Sequence, residues 1–155
     1  MFDGHLTGIF ISAKKGADLR AMDAIEAVAG RGLVGDRYFA KEGTYSDKDG
    51  PDREVTLIEE EALAGMAREY ELLLPPPQAR RNLLTRGVPL NHLVGQTFRV
   101  GDVILRGIRL CEPCGHLQKL TCKGVLKGLI HRGGLRAQIL QGGILNIGAT
   151  IKDSE

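Results

Sequence analysis

Short apolar runs separated by glycine dominate the pattern along this chain. Residues 6–13 alternate enough to predict a strand, and residues 53–58, with Glu-Val-Thr-Leu-Ile in the body, predict another. Residues 22–29 read either way: the alanines suit a helix, the length and flanking glycines a strand. Leu63, Met66, Ala67 and Tyr70 recur at i, i+3, i+4, i+7 and predict a helix with one apolar face. The acidic run Glu59-Glu60-Glu61 suits the positive end of its dipole. Pro75-Pro76-Pro77 is expected to end anything helical and to form a stiff extended connection. Residues 80–85 predict a strand. Residues 96–100 and 103–111 flank Gly101-Asp102 and predict a hairpin.

Near the C-terminus, Val125, Leu126, Leu129 and Ile130 mark a short helix, with Gly133-Gly134 as its expected cap. Residues 135–140 and 144–151, joined through Gln141-Gly142-Gly143, predict a second hairpin. The glycine-punctuated stretch 30–38 and the polar stretch 41–52 are expected to be loops. About seven or eight short strands and two or three short helices point to a mainly β fold with a few helices (α+β), closed or nearly closed into a β-barrel, which removes exposed edges.

Composition narrows the function classes. The 155 residues fit one domain with a proper core, and 43% apolar with 26% charged content is ordinary for a globular protein. The net charge of +2 and the 5% aromatic content, with no Trp, speak against nucleic acid as a partner. No apolar stretch reaches the length of a membrane span, and no secretory signal pattern opens the chain. Three cysteines, two of them in one loop, argue against a disulfide framework and for the cytoplasm.

The chemistry centres on Leu110-Cys111-Glu112-Pro113-Cys114-Gly115-His116. This loop follows a predicted strand, which aims a soft sulfur beyond the sheet. Cys111 reads as a small hydrophobe at a strand end. Cys114, between Pro113 and Gly115 and near Lys119, Lys123 and a helix N-terminus, is the candidate reactive thiol. Nucleophile, metal ligand, sulfur carrier and inert core thiol all stay open from the residues alone. C-x2-C-x-H-x5-C (Cys111, Cys114, His116, Cys122) also contains four zinc-type ligands, so a zinc-stabilised binding module without catalysis is the alternative. His116 and His131 are candidate supporting partners.

Arginines form the second constellation. Arg37 follows Gly35-Asp36, Arg80 and Arg81 precede Asn82, and Arg132 and Arg136 flank Gly133-Gly134-Leu135. Guanidinium groups suit bidentate recognition of phosphate or carboxylate, and glycine loops turn backbone N–H groups to the same anion. No phosphate-loop or dinucleotide fingerprint is present.

The ordered set Gly35-Asp36-Arg37, Arg81-Asn82-Leu83, Gly101-Asp102, Pro113-Cys114 and Gly133-Gly134-Leu135-Arg136 resembles the MOSC domain, the C-terminal domain of molybdenum cofactor sulfurases. Small stand-alone bacterial members are the nearest in kind, and residues 1–155 then form a single MOSC-like domain. The resemblance implies a β-barrel and binding of the molybdenum cofactor, a pterin dithiolene with an anionic phosphate tail. It implies that Cys114 is the molybdenum ligand or a persulfide site, that Arg81 and Asn82 contact the cofactor, and that Arg37 joins them. It further implies either a reductase of N-hydroxylated compounds or a sulfur or cofactor carrier. An electron-donor or sulfur-donor protein would be the partner. Nothing marks a Schiff-base lysine, so no pyridoxal phosphate is expected.

Overall fold

The structure is a computed structural model that describes residues 2–14, 16–40, 50–121 and 123–154. Seven strands close on one another. β1 (Asp3–Ile11) lies between β6 (Leu83–Arg86) and β11 (Thr150–Asp153). From β6 the barrel continues through β5 (Val55–Glu59), β9 (Leu135–Gln141), β8 (Val103–Leu110) and β7 (Thr97–Val100), which returns to β11. The short β2 (Arg20–Ala21) extends the end of β1. A separate sheet holds β3 (Ala24–Val28) between β4 (Gly32–Leu33) and β10 (Gly143–Asn146).

Within the barrel, β5 and β6 are the parallel pair. A parallel pair needs a crossover, and α1 (Glu60–Tyr70) supplies it, followed by a 3-10 turn at Pro76–Ala79. The strands on either side of this crossover are apolar on both faces. Leu57 and Leu83 point into the barrel core, whereas Ile58 and Leu84 point outward into a second core under the helices. That explains why the sequence of β5 runs apolar without alternation. Ala62, Leu63 and Met66 of α1 fill this second core, with Leu117 of α2 (Gly115–Leu120) and Val125 and Leu129 of α3 (Val125–Leu129). No described helix is long and apolar enough to cross a membrane.

The strand at 6–13, the strand at 53–58, the hairpin across Gly101-Asp102, and the helix carrying Leu63 and Met66 are all present, and the 22–29 ambiguity resolves as strand β3. Tyr70, placed on the buried face by periodicity, is exposed. Four expectations need correction. Pro75-Pro76-Pro77 does not stay extended: Pro76 begins the 3-10 turn, where the first N–H groups need no intrahelical acceptor. The 80–85 strand begins only at Leu83, because Arg80 takes a left-handed conformation (φ 60°) that ends the turn. Gly133-Gly134 does not cap α3, whose last residue is followed by Ile130 in that role. The C-terminal hairpin does not form. Both edges of β9 are taken, by β5 and β8, so β10 pairs with β3 and β11 joins β1 and β7. The helix α2 directly after Cys114 was not among the predicted elements. Most of the 41–52 loop falls at 41–49, outside the described residues.

The acidic run before α1 is a set of stitches as well as a dipole partner. Glu59 accepts from Leu90 N at 3.2 Å, Glu60 pairs with Arg86, and Glu61 accepts from Gly87 N at 2.8 Å. Burial pushes the Glu59 carboxyl up, against the hydrogen bond from Leu90 and with the repulsion of Glu61. A raised carboxyl favours the protonated fold, so its contribution is lost as pH rises through the folded value. Glu59→Gln keeps an acceptor and removes the charge. Its melting temperature should exceed that of the native chain at pH 7 and match it in acid, as thermal unfolding across pH would record.

Candidate functional site

One end of the barrel gathers four loops. β8 leads into Cys111–Cys114 and α2, the chain before β9 supplies Gly133 and Gly134, the 3-10 turn before β6 supplies Arg80 and Arg81, and the segment after β4 supplies Arg37 and Tyr38. They enclose a cavity of about 340 Å³ lined by Arg37, Arg80, Arg81, Arg109 and Arg136 together with both Cys111 and Cys114.

The thiol loop is held by backbone. Cys111 N donates to Gly134 O at 2.7 Å, and Cys111 O accepts from the Arg81 guanidinium at 3.0 Å. Gly133 packs so closely that a Cβ there would lie 2.5 Å from Cys111 O and 2.8 Å from Pro113 Cδ. Glu112, which also lines the cavity, accepts from both His131 N (2.7 Å) and His131 Nδ1 (2.9 Å), and Asn91 donates to His131 O at 2.7 Å. Cys114 is then the N-cap residue of α2, in an extended conformation, and is partly buried against the helix core. Its carbonyl accepts from Gln118 N at 3.1 Å. Cys111 is fully buried as expected, but it also reaches the cavity wall.

Arg81 is nearly buried and fastens three loops at once: Nε to Gly133 O at 2.8 Å, one terminal nitrogen to Cys111 O, the other to Ala79 O at 3.4 Å. Arg37 pairs with the fully buried Asp36 at 3.2 Å, stacks on the Tyr38 ring at 4.7 Å, and donates to Arg80 O at 3.2 Å. Asp36 in turn accepts from Ser12 N and Tyr38 N, which fixes the loop after β4. Arg109 and Arg136 face each other directly across β8 and β9. Like charges in that position repel. Asp52 lies between them, accepting from Arg109 Nε at 2.8 Å with its carboxylate and from Arg136 at 3.2 Å with its carbonyl. Partial burial alone would raise the Asp52 carboxyl, but the bond from Arg109 and the charges of Arg53 and Arg109 hold it below its ordinary value. Burial works against the charge of Arg136, yet neighbouring Cys111, Tyr38 and Asp52 more than offset it. Arg80 is different. Burial and the adjacent Arg37 both push its pKa down, more than Asp18, Tyr38 and Asp36 restore. Its cationic form is therefore disfavoured where it stands and would gain from an anion.

Of the residues singled out by sequence, Cys111, Cys114, His116, Arg37, Arg80, Arg81 and Arg136 meet at this cavity, whereas His131 does not line it. Asn82 and Arg132 do not line it either. Asn82 is fully buried, accepting from Thr56 N (3.0 Å) and Thr56 Oγ1 (3.2 Å) and donating to Phe10 O (3.1 Å), so it ties β1 and β5 to the start of β6. Arg132 lies over Gly65 of α1, bonded to Gly128 O and paired with Glu69. Arg109 and Tyr38 were missed. The signal for Arg109 was its position two residues before Cys111 in the 103–111 strand expected from sequence, where alternate residues share a face. Among the described residues no group of three or more His, Cys, Asp or Glu side chains could hold a metal ion. Of the four zinc-type ligands, Cys122 lies outside the described residues.

A family model for the MOSC domain matches residues 44–152. The chain belongs to the MOSC domain family. Its barrel is that of solved relatives. The YuaD protein of Bacillus subtilis matches with a TM-score of 0.80 at 17% identity, covering 100% of both chains. YiiM of Geobacillus stearothermophilus matches at 0.72 and 14% identity, over 98% of this chain and 75% of that one. YiiM of Escherichia coli matches at 0.69 and 20% identity, over 97% and 70%. Identities this low establish the shared fold alone. No curated protein matches the chain.

Proposed function

We propose that this MOSC protein binds the molybdenum cofactor in the arginine-lined cavity, with Cys114 as the metal's protein ligand. One observation carries the reading: five guanidinium groups and a partly buried thiol line the same cavity. A thiolate is a soft ligand suited to a thiophilic metal, and guanidinium groups suit a phosphate tail. The donor set therefore fits the group that the family implies. Arg37, Arg80 and Arg136 would hold the anionic part, and Arg81 would hold the thiol loop while keeping two of its five N–H donors for the ligand. When bound, the cofactor supplies a two-electron redox centre. The chain contributes a fixed sulfur, a cationic lining, and Tyr38, Pro113 and Leu117 as walls that limit water.

With electrons from a partner protein, the site would serve a reductase of N-hydroxylated compounds. With a sulfur donor instead, Cys114 would carry a persulfide or the chain would pass on the cofactor. Either role suits the cytoplasm, where thiols stay reduced.

Metal and pterin analysis of freshly purified protein from a cofactor-competent host tests the reading. Stoichiometric molybdenum is expected in the native chain and in Cys111→Ser, and none in Cys114→Ser. Molybdenum retained in Cys114→Ser would overturn the ligand assignment. Zinc that disappears on replacing either Cys111 or Cys114 would favour the zinc-stabilised module. For the carrier role, mass spectrometry should find one added sulfur on Cys114 after incubation with a cysteine desulfurase.

A further inference from the structure

Residues 113–152 contain no Asp or Glu, although the chain carries 19 in all. Within that run Lys119, Lys123 and Lys127 recur at every fourth position, interleaved with Leu120, Leu126 and Ile130. Leu117, Val125 and Leu129 of the same stretch turn inward and fill the second core. The lysines, Leu120, Leu126 and Ile130 are left facing solvent. We propose that this helical face docks on the surface of an anionic lipid bilayer, its aliphatic side chains entering the headgroup boundary and its lysines meeting the lipid phosphates.

Three elements build the face as one surface. Gln118 Oε1 of α2 accepts from Gly124 N and Leu126 N, both at 3.3 Å, which fixes α3 beside α2. Gly124 lies against Leu72, so close that a Cβ there would stand 2.8 Å from Leu72 Cδ1. Lys127 Nζ sits over the Tyr70 ring at 5.8 Å, which joins α3 to the end of α1. The segment after α1 then adds Leu73, which at 84% is the most exposed large apolar side chain among the described residues. Ile130 follows at 54%. Glu69 is engaged by Arg68 and Arg132, which leaves Glu71 as the acidic neighbour on α1 against three lysines. Among the described residues no carboxylate pairs with any of these lysines.

The chemistry favours lipid over an acidic protein. Protein interfaces deplete lysine and enrich arginine and aromatic residues, whereas this face has lysine, leucine and isoleucine with a single tyrosine. Lysine stems lie along apolar surface while their ammonium groups reach out to phosphate, and a tyrosine ring suits the headgroup level. Apolar burial and attraction to anionic lipid add together in such contacts. No described helix is long enough to span, so the contact is peripheral. α2 connects this face to the thiol cavity: His116 and Leu117 line the cavity, and Leu120 ends the same helix on the docking face. Docking would hold the cavity beside the lipid surface.

Cosedimentation of the full chain with vesicles of phosphatidylcholine alone, or of equimolar phosphatidylcholine and phosphatidylglycerol, tests this. Binding to the anionic vesicles should be at least about tenfold tighter and should weaken as salt rises. Each lysine near such a surface is worth about fivefold, so Lys119→Glu, Lys123→Glu and Lys127→Glu together should lower the affinity by at least about a hundredfold. The three side chains are exposed, so that variant should keep the native melting temperature. Leu73→Ser with Ile130→Ser keeps every charge and should still weaken binding by about tenfold. An unchanged affinity in either variant overturns the proposal, because attraction to the cavity arginines alone would then explain the contact. Absence of binding to both vesicles overturns it as well and turns the face over to an acidic protein. None of these readouts depends on bound molybdenum, so they stand or fall apart from the cofactor reading.

Discussion

Gly134→Ala should lower the melting temperature by about 10–15 °C and loosen the thiol cavity. Gly134 adopts φ +118°, and a Cβ there would stand 2.1 Å from Leu57 O and 3.2 Å from its carbonyl carbon. The obstacle is backbone of β5, in the middle of the barrel wall, and cannot swing aside as a side chain would. Positive φ at a non-glycine residue costs about 1–3 kcal/mol, and overpacking a rigid site costs about 1–3 kcal/mol more. For a domain of this size each kcal/mol shifts the melting temperature by about 2–4 °C. The displaced atom matters too, since Gly134 O is the acceptor for Cys111 N. Gly148→Ala separates the two contributions. Gly148 has φ +92° with open space at its Cβ, so only the dihedral cost applies. Differential scanning calorimetry of both variants should give a drop at Gly148 no larger than about 1–3 kcal/mol implies, and a clearly larger one at Gly134. Equal drops would remove the steric argument for why glycine stands at 134.

What was legible in the chain followed from period and punctuation. β5, α1 and the β7–β8 hairpin announce themselves through apolar spacing or a two-residue turn, and each depends on neighbours close in sequence. The pairing of the C-terminal strands did not. Residues 135–151 carry a good hairpin pattern, yet β9 has partners on both edges from β5 and β8. Occupancy of a strand's edges is a property of the closed barrel and is absent from any local window. The site was legible to the extent that chemistry is local. Cys114 stands out by its Pro and Gly neighbours, and Arg37, Arg80, Arg81 and Arg136 by their flanking residues, and the cavity gathers them. Asn82 and Arg132 show the limit. Each has a side chain suited to a ligand, but long-range contacts recruit one to knit β1, β5 and β6 and the other to pair α1 with α3. Residue type and spacing cannot tell a donor aimed at a cavity from one aimed at a distant carbonyl.

Arg81 does both, which makes its replacement the most informative at the site. Arg81→Met should destabilise the fold by about 3–4 kcal/mol, because two well-formed bonds, to Gly133 O and Cys111 O, and a longer one to Ala79 O lose a charged donor inside the protein. The side chain is only 8% exposed, so water does not readily replace it. A second consequence is local. Cys111 is 2% exposed, and the Arg81 guanidinium is one of the two groups that hold its backbone. Without that bond the Cys111–Cys114 loop can swing outward, and Cys111 should become alkylated at a rate approaching that of an exposed thiol. Site-resolved mass spectrometry after pulses of iodoacetamide reads this directly. Arg81→Lys keeps the charge but not the planar fork, and one ammonium cannot span carbonyls contributed by three loops. It should recover little of the Cys111 protection. Full protection in the Lys variant would mean that charge alone holds the thiol loop. The present geometry argues for the fork: donors on three different nitrogens, each aimed at a different loop, are what bring the thiol and the arginines to one cavity.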